Sequence, residues 1–218
     1  MDGNGRWAQR RGLIRTQGHL EGLKTAKKIV KTAAETGISF LTLYAFSTEN
    51  WKRSAEEVGF IMTLIKQYLG AELDFYRENH IRIRHTGDPE GLPQDIRNEL
   101  DQACRETSGF PGLQVILALN YGGRDEIVRA VKQAIKNGIT LPDEADISAH
   151  LDNPDVPNPD LIIRTAGEFR TSNFLIWEGA YAEYYISDKL WPDWESEDLI
   201  NAVEEYNNRD RRFGGLKA

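Results

Sequence analysis

Apolar positions along this chain switch repeatedly between two spacings. Leu20, Leu23, Ile29, Val30 and Ala33 recur at helical intervals up to Gly37, and a mainly apolar run over 38–46 then predicts a buried strand. Ser54 and Glu57 have the spacing of a capping box. After them Val58, Ile61, Met62, Ile65, Leu69 and Leu73 keep helical spacing, which predicts one long apolar helix over 54–78. Residues 81–85 alternate as a strand, 93–106 form a weaker helix, and 113–119 read as a central strand. The amphipathic stretch 124–136 stops near Gly138. Beyond a Pro- and Asp-rich segment at 152–160, short strands are expected at 161–164, 174–177 and 184–186, and a last helix at 196–207.

Alternating strands and helices, without an internal repeat or a linker, predict a single α/β domain over 1–218 with a mainly parallel central sheet flanked by helices. The apolar helix 54–78, facing strand 38–46, is expected to wall an apolar tunnel between sheet and helices; plain core packing is the alternative reading.

Composition narrows the possibilities. Of 218 residues, 40% are hydrophobic and 28% charged, so the chain is neither disordered nor built for a bilayer, and its longest apolar run is far short of the roughly 18–20 residues of a spanning helix. Met1 leads straight into Asp2 and a glycine-rich stretch without a basic and apolar leader, so a cytoplasmic location is expected. A lone cysteine, Cys104, excludes an internal disulfide and a multi-thiolate metal site. The net charge of -7 argues against a nucleic-acid binder. Yet Arg6, Arg10, Arg11 and Arg15 face only Asp2 within the first 19 residues, and a basic segment on an acidic chain suggests a local anion site.

Three constellations could carry chemistry. Asp2-Gly3-Asn4-Gly5-Arg6-Trp7, followed by Arg15, Gly18 and His19, combines glycines that expose backbone N–H groups with arginines that bind phosphate bidentately. This reads either as a diphosphate cradle, in which Asp2 would need a cation such as Mg²⁺ between itself and the phosphate, or as an ordinary turn beside a solvated basic face. Ser47-Thr48-Glu49-Asn50-Trp51-Lys52-Arg53 lies at the carboxyl end of the first strand, where open α/β sheets bind ligands; a capped loop with a packed Trp51 is the alternative. Arg164, Arg170, Thr171 and Ser172 follow another strand and could grip a second anion, or Arg164 and Arg170 could pair with Glu168. Glu183, among aromatic residues, must be paired or bound to metal. The Asn120-Tyr121-Gly122-Gly123-Arg124 turn reads as close packing, His80, His85 and His150 as surface or edge residues, Cys104 as inert, and Trp177 and Trp191 as core. No P-loop pattern occurs.

Taken together, these blocks resemble the cis-prenyltransferase family in its bacterial form. The resemblance runs along nearly the whole chain: Asp2 to Ala8, Tyr44-Ala45-Phe46-Ser47 with Glu49-Asn50-Trp51, Asn120 to Arg124, Ile163-Arg164-Thr165, Ser172 to Leu175, and Arg211-Arg212-Phe213-Gly214-Gly215. It implies condensation of isopentenyl diphosphate onto an allylic diphosphate such as farnesyl diphosphate, with each new double bond cis, giving a long-chain polyprenyl (undecaprenyl) diphosphate for a cell-wall lipid carrier. In this reading Gly3, Asn4, Gly5, Arg6, Arg15 and His19 hold the allylic diphosphate, and Arg164, Arg170 and Ser172 the isopentenyl one, while Trp7, Ser47, Thr48, Glu49, Trp51, Arg53 and Thr171 belong to the binding site. Asp2 would carry Mg²⁺ and assist departure of the leaving group, with Glu183 as second acidic residue across a homodimer interface. Asn50 would orient substrate, because an amide is a poor base. The tail around Arg212-Phe213-Gly214 would reach a neighbouring active site, and peripheral contact with the inner face of the membrane would serve product release. A non-catalytic or shorter-product homologue acting as a partner subunit, and a nucleotide-binding module, are the rival readings. Ala45, small beside the crevice, is expected to set product length.

Overall fold

The computed structural model describes residues 1–210. Its centre is β3 (Gln114–Tyr121), flanked in parallel by β1 (Phe40–Ser47) and β2 (Arg82–Thr86). Because both faces of β3 are covered, its apolar run Val115 to Leu119 is buried throughout, as expected of a central parallel strand. Packed around this sheet are α2 (Arg15–Glu35), α3 (Ala55–Ala71), α4 (Leu73–Glu78), α5 (Gln94–Thr107) and α6 (Gly123–Lys136). A second parallel pair, β4 (Leu161–Arg164) and β5 (Glu183–Ile186), lies beside α8 (Ser196–Asn207). The parallel sheet is therefore divided into three strands and two.

Four local expectations need correction. The Asn4–Arg10 segment is not a loop but a short helix, α1, entered through Gly3 at φ 104°. It packs on α2 where Gly18 and Gly22 leave room: a Cβ on Gly18 would stand 2.0 Å from the Asn4 carbonyl oxygen. Gly18, read as part of a phosphate cradle, thus serves helix contact, while α2 begins at Arg15, where the basic segment suggested a helix start. The long helix 54–78 breaks at Glu72 into α3 and α4. Residues 174–177 do not form a strand: Ser172, Asn173 and Leu175 take φ values of 50°, 62° and 42°, and the chain turns into a 3-10 helix, Glu178–Tyr181. A further helix, α7 (Glu144–Ala149), capped by Asp143, was not apparent in the apolar pattern because it buries nothing fully.

Candidate active site

A cavity of about 1070 Å³ opens where the first turn of α1, the end of β1 and the end of β4 converge. Its mouth carries Asp2, Gly3, Asn4, Gly5, Arg6, Arg15, His19, Ser47, Glu49, Asn50, Arg53, Arg164, Arg170, Thr171 and Ser172. Its interior is walled by apolar residues of β1, β4 and α8, joined by Ile116 of β3, Ile29 of α2 and Ile61 of α3. The tunnel is therefore not walled chiefly by the 54–78 helix. Met62 and Leu69 turn into the core instead, and the lining is shared among several elements.

Asp2 is held by its backbone: the Thr165 hydroxyl donates to its carbonyl at 2.9 Å and accepts from its N–H at 2.8 Å, and the Trp191 N–H adds a bond of 2.9 Å. That leaves the carboxylate facing the mouth, where Arg164 Nη2 reaches Oδ2 at 2.7 Å. Partial burial works against its charge, but Arg164 and the nearby Arg6 outweigh it and keep its pKa below the ordinary value. Arg6 donates to the Ala166 carbonyl at 3.2 Å and pairs with Glu168 at 2.7 Å; Arg170 pairs with the same Glu168. Arg15, His19 and Arg53 meet on one oxygen of Glu57, at 3.3, 3.2 and 3.0 Å.

The capping box was thus half right. The Ser54 hydroxyl accepts from the Glu57 N–H, while the Glu57 carboxylate serves the mouth. Burial of Glu57 opposes its charge, yet His19, Arg15 and Arg53 hold its pKa low, and burial also lowers that of His19 despite Glu57. Five arginines here share three carboxylates, Asp2, Glu57 and Glu168, and with Glu49, which is bound by Asn173, as a fourth, the mouth still keeps an excess of positive charge. Arg6 and Arg15 are 44% and 63% exposed in their side chains, so these ion pairs are weak and readily exchanged for an incoming phosphate.

Other expected residues lie off the cavity. Trp7 donates to Asp193 at 2.6 Å, and Trp51 donates to Asn120 at 2.7 Å and stacks edge-on against Phe46, so both brace loops. Thr48 crowds Gly122, where any Cβ would meet its hydroxyl at 2.7 Å. Glu183 pairs with Arg209 at 3.0 Å and does not line the cavity. Asn50 does line the cavity, and its amide oxygen accepts from the Ser47 N–H at 3.1 Å, closing the cap of the 3-10 helix Thr48–Lys52. The Gly122-Gly123 turn is close packing, as expected, and burial pushes the Cys104 thiol up to about 11, so it is unreactive. Trp191 is core, whereas Trp177 is only half-buried. The tail 211–215 lies outside the described residues. Thr165, Glu57 and Asn173 carry more of the site than their sequence context announced. Asn173 donates to Glu49 at 2.9 Å and accepts from the Arg124 N–H, and no local spacing marks such distant pairings.

A family model described as "Putative undecaprenyl diphosphate synthase" matches residues 1–214. The isoprenyl transferase of Treponema denticola is 53% identical over 98% of this chain and 94% of its own length; that of Thermotoga maritima is 47% identical over 99% and 94%. Among solved structures, lavandulyl diphosphate synthase from Lavandula x intermedia, in complex with dimethylallyl diphosphate, superposes with a TM-score of 0.94 at 35% identity, covering 98% of this chain and 95% of that one. A probable undecaprenyl diphosphate synthase from Campylobacter jejuni matches at 0.82 and 38% identity, over 89% and 92%. Fold and mouth together are those of a prenyltransferase of isoprenoid synthesis. The chain belongs to the undecaprenyl diphosphate synthase family.

Proposed function

We propose that this chain condenses isopentenyl diphosphate units onto farnesyl diphosphate or a similar allylic primer, with cis geometry, to a long-chain polyprenyl diphosphate of the undecaprenyl type that serves as a cell-wall lipid carrier. The observation that carries the reading is one cavity with a cationic mouth and an apolar interior, which suits a diphosphate head on a hydrocarbon tail.

Breaking the allylic C–O bond builds negative charge on the departing diphosphate. Arg6 and Arg15, with the N–H groups around Gly3 to Gly5, would stabilise that charge where it develops. Arg164, Arg170 and Ser172 would hold the isopentenyl diphosphate so that its double bond faces the allylic carbon, which is a positioning task. With its carbonyl engaged by Ser47, Asn50 orients rather than removes a proton.

Asp2 is a lone carboxylate, and among the described residues no cluster of three metal-ligating side chains occurs. That donor set fits Mg²⁺, which habitually takes one or two carboxylates and completes its shell with phosphate oxygens and water. Asp2 would hold it, and the ion would supply neutralisation of the leaving diphosphate. Glu183 would contribute only through a homodimer.

The test is incubation with labelled isopentenyl diphosphate, farnesyl diphosphate and Mg²⁺, products being separated by length. Wild type should yield long products, and Asp2→Ala should lose about a hundredfold or more in kcat. Equal turnover by the variant would refute the role of Asp2, and no product from any allylic primer would favour the partner-subunit reading.

A further inference from the structure

Between β4 and the 3-10 helix Glu178–Tyr181 the chain runs through Arg170 and Ser172 without forming a helix or strand that would hold them in place. The support comes from outside the segment. Upstream, the Arg164 side chain donates to the Arg170 carbonyl. Downstream, the grip falls on Asn173, the residue after Ser172.

Both ends of the Asn173 amide are used, by different parts of the fold. Its Oδ1 accepts from the Arg124 N–H at 2.9 Å, and its backbone carbonyl from the Gly123 N–H at 2.7 Å, so it is seated on the start of α6. Its Nδ2 donates to Glu49 Oε1 at 2.9 Å, within the 3-10 helix that carries Asn50. A neutral amide suits this seat because one end must accept while the other donates to a carboxylate. The backbone narrows the choice as well: φ is 62°, a region that asparagine enters more readily than most side chains.

The Gly122-Gly123 turn takes its meaning from the same amide. A Cβ on Gly122 would stand 2.7 Å from Asn173 Nδ2, and one on Gly123 would stand 3.0 Å from the Ile176 backbone nitrogen. Gly122 has a φ of -160°, extended backbone open to any residue, so its missing side chain provides space rather than conformation. The turn at the end of β3 is thus shaped to receive residues 173–176. Phe174, next in the chain, closes the fit by stacking on Tyr44 of β1 at 4.6 Å.

We propose that Asn173 is a positioning residue for the second diphosphate: it clamps the end of the Arg170–Ser172 segment to α6 and to Glu49, and so fixes where the Arg170 guanidinium and the Ser172 hydroxyl stand. This rests on the substrate reading above. Ser172 itself has a φ of 50°, which a serine keeps only while its surroundings enforce it, and the adjoining clamp supplies that enforcement. Asn173 acts through its neighbours and has no need to touch either substrate. The arginines assigned to the allylic diphosphate, Arg6 and Arg15, belong to α1 and α2, outside the three segments that Asn173 ties together.

The effect should therefore be selective. Asn173→Gly keeps the backbone conformation and the bond from Gly123 but removes both side-chain bonds. KM for isopentenyl diphosphate should rise about tenfold or more, while KM for farnesyl diphosphate stays within about twofold. Asn173→Asp retains the bond from the Arg124 N–H but sets a second carboxylate against Glu49, and should show the same selective rise. Adding Glu49→Gln, whose amide can donate to the new carboxylate, should bring KM back to within about threefold of wild type. Gly122→Ala, which crowds the amide without altering it, is the second route to the rise should Asn173→Gly fold poorly. Independently of any substrate, the melting shifts of Asn173→Asp and Glu49→Gln should not add: the double variant should melt about 2 °C or more above their sum. An unmoved KM for isopentenyl diphosphate, equal rises for both substrates, or additive melting shifts overturn the clamp. Non-additive melting in a protein that turns over no isopentenyl diphosphate would instead keep the contact and sink the substrate reading.

Discussion

At the scale of single residues, what decides the site is how closely backbones approach. Gly18 is the sharpest case, because the Asn4 carbonyl occupies the place of its missing Cβ. Gly18→Ala should push α1 away, costing about 1–3 kcal/mol and lowering the melting temperature by roughly 2–10 °C. The same shift moves Gly5 and Arg6, so KM for the allylic substrate should rise as well. A calorimetric scan unchanged from wild type would show that the two helices are not held by this contact. Thr165 works at the same scale: one hydroxyl gives to and takes from the Asp2 backbone, which aims the carboxylate without using it.

Whole elements explain why the apolar interior is where it is. β1 pairs regularly with β3 up to Tyr44, then skips Ala45 before Phe46 meets Leu119. The irregularity leaves Ala45 among the residues lining the cavity, together with Tyr44 and Ile61. Ala45→Leu should fill part of the hydrocarbon path and shorten the product, read by thin-layer separation of chain lengths; an unchanged distribution would place the length limit elsewhere. The order of elements was legible because periodicity reports which face is buried, and β4 and α8 fall where their spacing put them. The break at Glu72 and the turn at 174–177 were not legible. Neither depends on local preference: the turn exists because Phe174 stacks on Tyr44 at 4.6 Å and Asn173 is pinned by α6.

The whole molecule remains a protein of net charge -7 with a positively charged mouth, so diphosphates are drawn to one place on an otherwise repelling surface. No described helix is long and apolar enough to cross a membrane. Val128 and Ile135, seven residues apart on α6, are 49% and 54% exposed, and Tyr181 is 73% exposed. The homodimer that the family resemblance implies would cover such surface, and sedimentation should then give about twice 24.8 kDa. A monomer at all concentrations would remove the proposed part of Glu183.

Sequence alone determined the parallel α/β order and the three clusters of phosphate-binding residue types, because each of these is written in local spacing or residue chemistry. Tertiary structure alone decided that Arg15, His19 and Arg53 meet on Glu57, that Asn4–Arg10 is a helix wedged against two glycines, and that the start of α6 holds Asn173, some fifty positions further along the chain. The reason is physical. A side chain's charge state and a backbone's turn answer to whatever atoms lie within a few ångströms, and those neighbours are brought there by folding from positions that no local pattern connects.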